Sequence, residues 1–368
     1  MKQSDKSKMD SMVQILRIIG AFMVIGTHIK VGNYVEGVPS YSRTVISCFV
    51  GDGVAVFWMI LGFFYFKNND YKRKISVMIK KIIIPMFLYS LIMFYFYDFI
   101  IGNDSTILES IRHSKEEYIY LIKDGLLKWR NVVPGAGHFW YLYVYALVVI
   151  CYPALSGIKQ YCDSIKNGQI KLIIIMFSML IFNDLSFNGF FEFSHHTFGG
   201  MIGGAIWVLI GDIVYRNREK INFVCGIMGL TIFVGINFFR AFIQYKCYFR
   251  EDITDEPLFW YTSYAVISVL GISMFVFGCL NFLDNTFFSI IINHIGKMTF
   301  PVYIVHMCIR DFLNSKGYNA KIILRFGNGG LGILKYEIVY TLMIFLLSLF
   351  VSELLFLIKL LIKTIIKK

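Results

Sequence analysis

The sequence predicts an all-α integral membrane protein, a bundle of about ten transmembrane helices with both termini in the cytoplasm. Three observations lead there. The 368 residues are 57% hydrophobic and only 16% charged, with a mean hydropathy of +0.62; soluble domains are about 45–50% apolar and about 25% charged. Apolar runs of about twenty residues, enough to cross a bilayer, recur along the whole length and leave no stretch for a second soluble domain. Basic residues gather in alternate connections between those runs, the pattern that orients a membrane protein.

The opening MKQSDKSKMDS is polar and basic, and no small-residue cleavage pattern follows the first apolar run. That run, 12–31, therefore reads as a retained helix and not a removed signal peptide. Further helices are expected at 45–66, 75–101, 138–157, 171–188, 198–215, 222–241, 259–282, 287–310 and 335–362. An even number of crossings puts both ends on one side. Lys2, Lys6 and Lys8 lie there, with Lys67, Lys72, Arg73 and Lys74, then Arg216, Arg218 and Lys220, and finally Lys363, Lys367 and Lys368. This positive side should be cytoplasmic, which places the chain in a cell membrane. The acidic connection 242–258 then faces outward. The connection 311–334, with Lys316, Lys321 and Arg325, runs against the pattern.

The long connection 102–137 should be external and partly helical, either a solvated cap or a lid over an external site. In GGMIGGAIW, Gly199/Gly203 and Gly200/Gly204 follow the small-xxx-small pattern of close helix packing. The net charge of +12 could suggest nucleic acid, but the basic residues are accounted for by orientation, so no nucleic-acid partner is expected. The seven cysteines are scattered without C-x-x-C spacing, which argues against a metal site or a disulfide framework.

Arg17 and His28 lie eleven residues apart in the first run. Eleven residues are about three helical turns and roughly 16 Å of rise, so both side chains share one face, one near each end of the helix. Both are costly in hydrocarbon and should face a protein interior or a watery cavity; the expectation is one cavity bordered by both. Threading direction brings further polar groups to the depth of His28: Asp52, His138, Glu192, His195, His196 and His306. Asp52 can cap a helix or, like Glu192, orient a catalytic imidazole. His138, Trp140, Tyr303 and His306 are candidates for placing a substrate or stabilising an oxyanion. On the inner side, Arg73, Lys74, Lys80 and Lys81 precede Pro85 and could meet phosphates, as could Arg17 itself. The same groups could instead line the path of a transporter or flippase for a glycan or lipid precursor.

Several segments together resemble the membrane acyltransferase-3 family. Arg17 through His28 is similar to its arginine–ten–histidine signature. GDGVAVFWMILGFF at 51–64 resembles its second-helix block, with Leu61 where a serine is usual. GHFWYLYVYALVVICYP at 137–153, WVLIGDIVYR at 207–216 and GKMTFPVYIVH at 296–306 resemble later blocks in the same order. The basic residues before Pro85 depart from the family's arginine spacing, with Lys80 and Lys81 nearest. The resemblance implies transfer of an acyl group, often acetyl, from cytoplasmic acyl-CoA to a hydroxyl of a cell-surface glycan or a lipid-linked glycan precursor, with Arg17 and His28 essential. Acyl-CoA (acetyl-CoA) would be a co-substrate, and no bound cofactor or metal is called for. Some relatives carry a soluble domain after the helices. None is expected here, so the protein would act alone or hand its acyl group to a partner protein of glycan biosynthesis.

Overall fold

The computed structural model describes residues 3–29, 34–35, 38–121, 135–187, 200–247, 262–285, 287–327 and 329–366. Apart from a small hairpin, in which β1 (Tyr34–Val35) pairs antiparallel with β2 (Val38–Pro39), the elements are helical. The described part of each expected segment is largely helical, and the differences lie in where the helices break.

The first segment is α1 (Gln3–Ile29). The second is divided into α2 (Tyr41–Val50) and α3 (Gly53–Tyr65) by a turn at Gly51–Asp52. The third begins as α4 (Tyr71–Met78), widens into a π-helical turn at Ile79–Ile83 and continues as α5 (Ile84–Ile101). Pro85 lies just past the wide turn; it offers no N–H and its ring crowds the preceding turn, so regular α geometry cannot run through it. The fourth opens with a 3₁₀ turn at Gly137–Phe139, then bends by 58° between α7 (Trp140–Ile150) and α8 (Tyr152–Ser164). Pro153, at the start of α8, is the cause of this second break. Between them, α6 (Ile107–Leu121) occupies part of the long polar connection.

The remaining helices are α9 (Gly168–Phe187), α10 (Gly200–Asn217), α11 (Phe223–Cys247), α12 (Thr262–Cys279), α13 (Phe287–Ser315), the short α14 (Tyr318–Phe326) and α15 (Gly330–Ile366). Among the described residues, six helical stretches are long and apolar enough to cross a membrane, and a seventh counts if the bent α7–α8 pair is one span. Large apolar side chains turn outward on α5 (Phe87, Leu88), α11 (Phe223, Phe242) and α15 (Phe350, Leu361). Apolar surface on that scale suits lipid and not water. The chain is a multi-pass helical membrane protein.

Contacts give the relative directions of the helices. α1 and α13 run parallel, with Asn293 bonded to Ser11, Gly296 against Gln14, and His306 beside His28. α1 and α3 run antiparallel: Gly20 meets Val56, and Gly53 meets Val24. α3 and α10 are parallel, touching at Trp58–Gly204 and again at Gly62–Gly211. A Cβ on Gly62 would lie 2.3 Å from the Val208 carbonyl oxygen, and one on Gly211 only 2.1 Å from that of Met59. This is the tightest approach between α3 and α10. Of the glycines singled out in the sequence, Gly204 meets Trp58 and Val148, Gly203 faces open space, and Gly199 lies outside the described residues.

α6 starts with a capping box. Glu109 Oε2 accepts from the backbone and hydroxyl of Ser105 (3.1 and 2.7 Å), while its own N–H donates to Thr106 Oγ1 at 3.3 Å. The Ser105 hydroxyl foremost holds the Glu109 carboxyl below its ordinary value. Ser110 and Ser114 bond to carbonyls of Tyr95 and Phe94, laying α6 on α5. Residues 122–134 of the expected lid, and 248–258 of the acidic connection, lie outside the described residues.

Candidate active site

Three histidines from three elements meet inside the bundle. His28 sits in the last turn of α1, His138 in the 3₁₀ turn before α7, and His306 in the C-terminal half of α13. Ring centroids are 5.4 Å apart for His28–His306, 6.2 Å for His28–His138 and 4.7 Å for His138–His306. The parallel run of α1 and α13 supplies two of them at one depth, and α7, entering from the same end, supplies the third.

Tyr303 organises the group. Its backbone carbonyl accepts from His138 Nε2 at 2.9 Å and from His306 Nδ1 at 2.7 Å. A carbonyl only accepts, so these bonds place a proton on each of those nitrogens. The opposite atoms, His138 Nδ1 and His306 Nε2, are then lone pairs, both buried and both without a hydrogen-bond partner. The Tyr303 hydroxyl returns a bond to the His138 carbonyl at 2.5 Å, so the two residues hold each other. Buried polar atoms are nearly always paired, since an unmade bond costs about 1–3 kcal/mol. These two nitrogens lie on rings whose centroids are 4.7 Å apart, beside a third imidazole, and each can accept a proton or a hydrogen bond from a bound group.

Arg17 lies three turns down α1 from His28. It is half-exposed, donates to Gln14 Oε1 at 3.1 Å and stands within electrostatic reach of Tyr141. Between them on α1, Val24 belongs to an apolar cluster with Phe139, Leu142 and Tyr303, and Phe57 and Tyr141 pack against it. At this depth the helix face shared by Arg17 and His28 is thus lined by an aromatic-rich cluster. Phe57 and Tyr141 are among its partly buried members.

The reading of Asp52 is corrected. It makes no side-chain capping bond, and its carboxylate is engaged by Arg240 of α11: Nη1 to Oδ2 at 2.7 Å and Nη2 to Oδ1 at 3.2 Å. Both side chains are buried, 2% and 0% exposed. Arg240 also bonds Asn237, which reaches Ser268 of α12. A carboxylate spanned by a guanidinium fork is a structural tie between α3, α11 and α12, and it is not free to orient an imidazole. Trp140, expected at a substrate, packs against the main apolar cluster of α3, α7 and α10. Glu192, His195 and His196 lie outside the described residues.

The basic rim divides. Arg73, Lys80 and Lys81 are exposed, the lysines on the π-helical turn. Lys74 is turned inward, donating to the Tyr65 carbonyl at 2.5 Å with its ammonium 4.4 Å from the Tyr152 ring centre. It is a packing residue and drops from the phosphate candidates. Among the described residues, no three His, Cys, Asp or Glu side chains are arranged to hold a metal ion.

A family described as an acyltransferase domain matches residues 12–358, nearly the whole chain. The chain belongs to the acyltransferase-3 family. No curated protein and no solved structure matches it. The matched stretch takes in Arg17, all three clustered histidines and Tyr303, so this membrane acyltransferase carries the cluster inside its acyltransferase domain. Two arginines of the acyltransferase do not figure among the sequence candidates. Arg240 sits within an apolar run, where an unpaired charge is costly, and that alone signals a buried partner. Arg310 follows His306 by one helical turn and reaches the His28 carbonyl.

Proposed function

We propose that this acyltransferase moves an acyl group, acetyl in the simplest case, from cytoplasmic acyl-CoA to a hydroxyl of a cell-surface polysaccharide or a lipid-linked glycan precursor. The observation that carries this reading is the histidine cluster with its two unpartnered ring nitrogens, set three turns from Arg17 on one helix. Arg17, with Arg73, Lys80 and Lys81 on the rim, meets the donor's phosphates through charge-assisted bonds. The thioester arm passes Phe57 and Tyr141 and brings the acyl carbonyl to the histidines.

Neutral His28 then takes the proton of the acceptor hydroxyl as that oxygen attacks the thioester carbonyl. The C–O bond forms, the C–S bond breaks, and the CoA thiolate leaves, recovering a proton from the imidazolium. His138, His306 and Tyr303 stand where they can hold the acceptor. No redox step is involved.

In the membrane, we read ten crossings with both termini cytoplasmic. The helix directions support it, since α1 and α13, and likewise α3 and α10, run parallel as segments of the same parity must. The sites for donor and acceptor then open to opposite faces, as a cytoplasmic thioester and a surface glycan require. The protein works in the bacterial plasma membrane, alone or beside a glycan-biosynthesis protein.

Mass spectrometry of glycans extracted from wild-type and deletion strains tests the proposal. The expected result is one added acyl mass per modified sugar, present only with the gene. Identical glycans, together with no transfer of label from acyl-CoA in membranes, would defeat it.

A further inference from the structure

We propose that Arg310, held by Asp311 and Tyr97, is a positioning residue for His28. The inference rests on the reading of His28 as the base that activates the acceptor. Arg310 lies four residues after His306, so both project from one face of α13. Its Nη1 donates to the backbone carbonyl of His28 at 3.2 Å. Its Nε and Nη2 both donate to Asp311 Oδ1, at 2.7 and 2.5 Å. Asp311 Oδ2 accepts in turn from the Tyr97 hydroxyl of α5 at 2.9 Å. The result is a hydrogen-bonded line from α5 through α13 to the end of α1.

The need for such a line follows from where His28 sits. His28 sits in the last described turn of α1, and towards its C-terminal end a helix runs out of N–H groups of its own for its backbone carbonyls. Those carbonyls form the negative end of the helix dipole, which a cation stabilises. A final turn left to itself frays. Catalytic geometry, by contrast, must be held within a fraction of an ångström. Arg310 meets both demands by capping the carbonyl of the catalytic residue itself.

Arg310 and Asp311 are neighbours in sequence, and adjacent residues on a helix point about 100° apart. The guanidinium therefore folds sideways to reach the carboxylate while its Nη1 stays on the α1 side. With Asp311 fixed by Tyr97, the guanidinium has one orientation. It is 21% exposed and Asp311 14%, so water competes with the line only at its edge. Nothing in the sequence near His28 announces this partner, which lies 282 residues away.

Two readouts on the full-length protein in lipid nanodiscs test the clamp. The first is hydrogen exchange in peptides covering α1. Arg310→Ala should speed exchange in the last turn about 10-fold or more and leave Ser11–Gly20 unchanged, since local opening is confined to the freed end. The second is transfer of radiolabelled acetyl groups from acetyl-CoA to extracted surface glycan. Arg310→Ala should lower kcat about 10²-fold with KM for acetyl-CoA within about 3-fold, the signature of a misplaced base and not of lost binding. Arg310→Lys, which can still donate to the carbonyl, should recover at least about a tenth of wild-type kcat.

Should Arg310→Ala fail to fold, Tyr97→Phe loosens the line by one hydroxyl, and a loss of about 3–10-fold in kcat is expected with faster exchange at the same turn. Unchanged exchange in the last turn would overturn the clamp even if activity fell, as would a rise in KM with kcat preserved. Absence of any acetyl transfer by the wild type would sink the functional reading alone, because the exchange experiment still decides whether Arg310 holds α1.

Discussion

Two of the buried polar clusters in this apolar bundle are built in opposite ways. Around Arg240 the charges are matched: a guanidinium fork spans both oxygens of Asp52, and Asn237 carries the network on to Ser268. Around Tyr303 two ring nitrogens are left as bare lone pairs beside a third histidine. Matching lowers the cost of burial and ties helices together. Leaving lone pairs open raises that cost. Under the proposed function, the first centre is structural and the second is the reactive one.

The two centres should respond differently to substitution. Arg240→Ala strands the Asp52 carboxylate and should cost on the order of 3–5 kcal/mol of stability, read as a lower melting temperature in detergent. The folded fraction should keep its kcat within about 3-fold, since no reacting group is touched. His306→Phe keeps volume but deletes both nitrogens. It should leave the melting temperature within a few degrees and lower acyl transfer about 10²-fold. If the two variants exchanged these phenotypes, the distinction between the centres would collapse.

Smaller effects sharpen the picture. Gly211→Ala drives a methyl against the Met59 carbonyl and should cost about 1–3 kcal/mol, whereas Gly203→Ala meets nothing within 4 Å and should be neutral. Equal melting temperatures for the pair would contradict the Gly62–Gly211 crossing as the tight point. The smallest effect belongs to α6. Because Glu109 titrates below its ordinary value of 4.5, its cap is fully present above that pH and is lost as pH falls through the lower folded value. The protection of amides at the start of α6, relative to their intrinsic exchange rate at each pH, should fall there in the wild type and stay constant over the same range in Glu109→Gln.

Much of this was legible in the sequence where one helix carries the information. Arg17 and His28 share a face because eleven residues close three turns. His138, Tyr303 and His306 reach the depth of His28 because alternate helices thread in opposite directions. The placing of Asp52 failed because its partner, Arg240, is 188 residues away and only packing brings them together. The breaks at Pro85 and Pro153 are written in the sequence as prolines, yet hydropathy runs smoothly across both. The aromatic-rich cluster at the depth between Arg17 and His28 draws on α1, α3, α7 and α13 together, and no single segment shows it. Arg310 is the plainest omission: a basic residue one turn past a candidate histidine, on the same face.

The central claim is that His28, within this cluster, is the base for acyl transfer. The most direct measurement compares wild-type protein and His28→Ala in proteoliposomes supplied with radiolabelled acetyl-CoA and extracted surface glycan. Label should pass to the glycan with the wild type, and the variant, folded by its melting curve, should be slower by about 10³-fold or more. Transfer by His28→Ala at the wild-type rate would contradict the account.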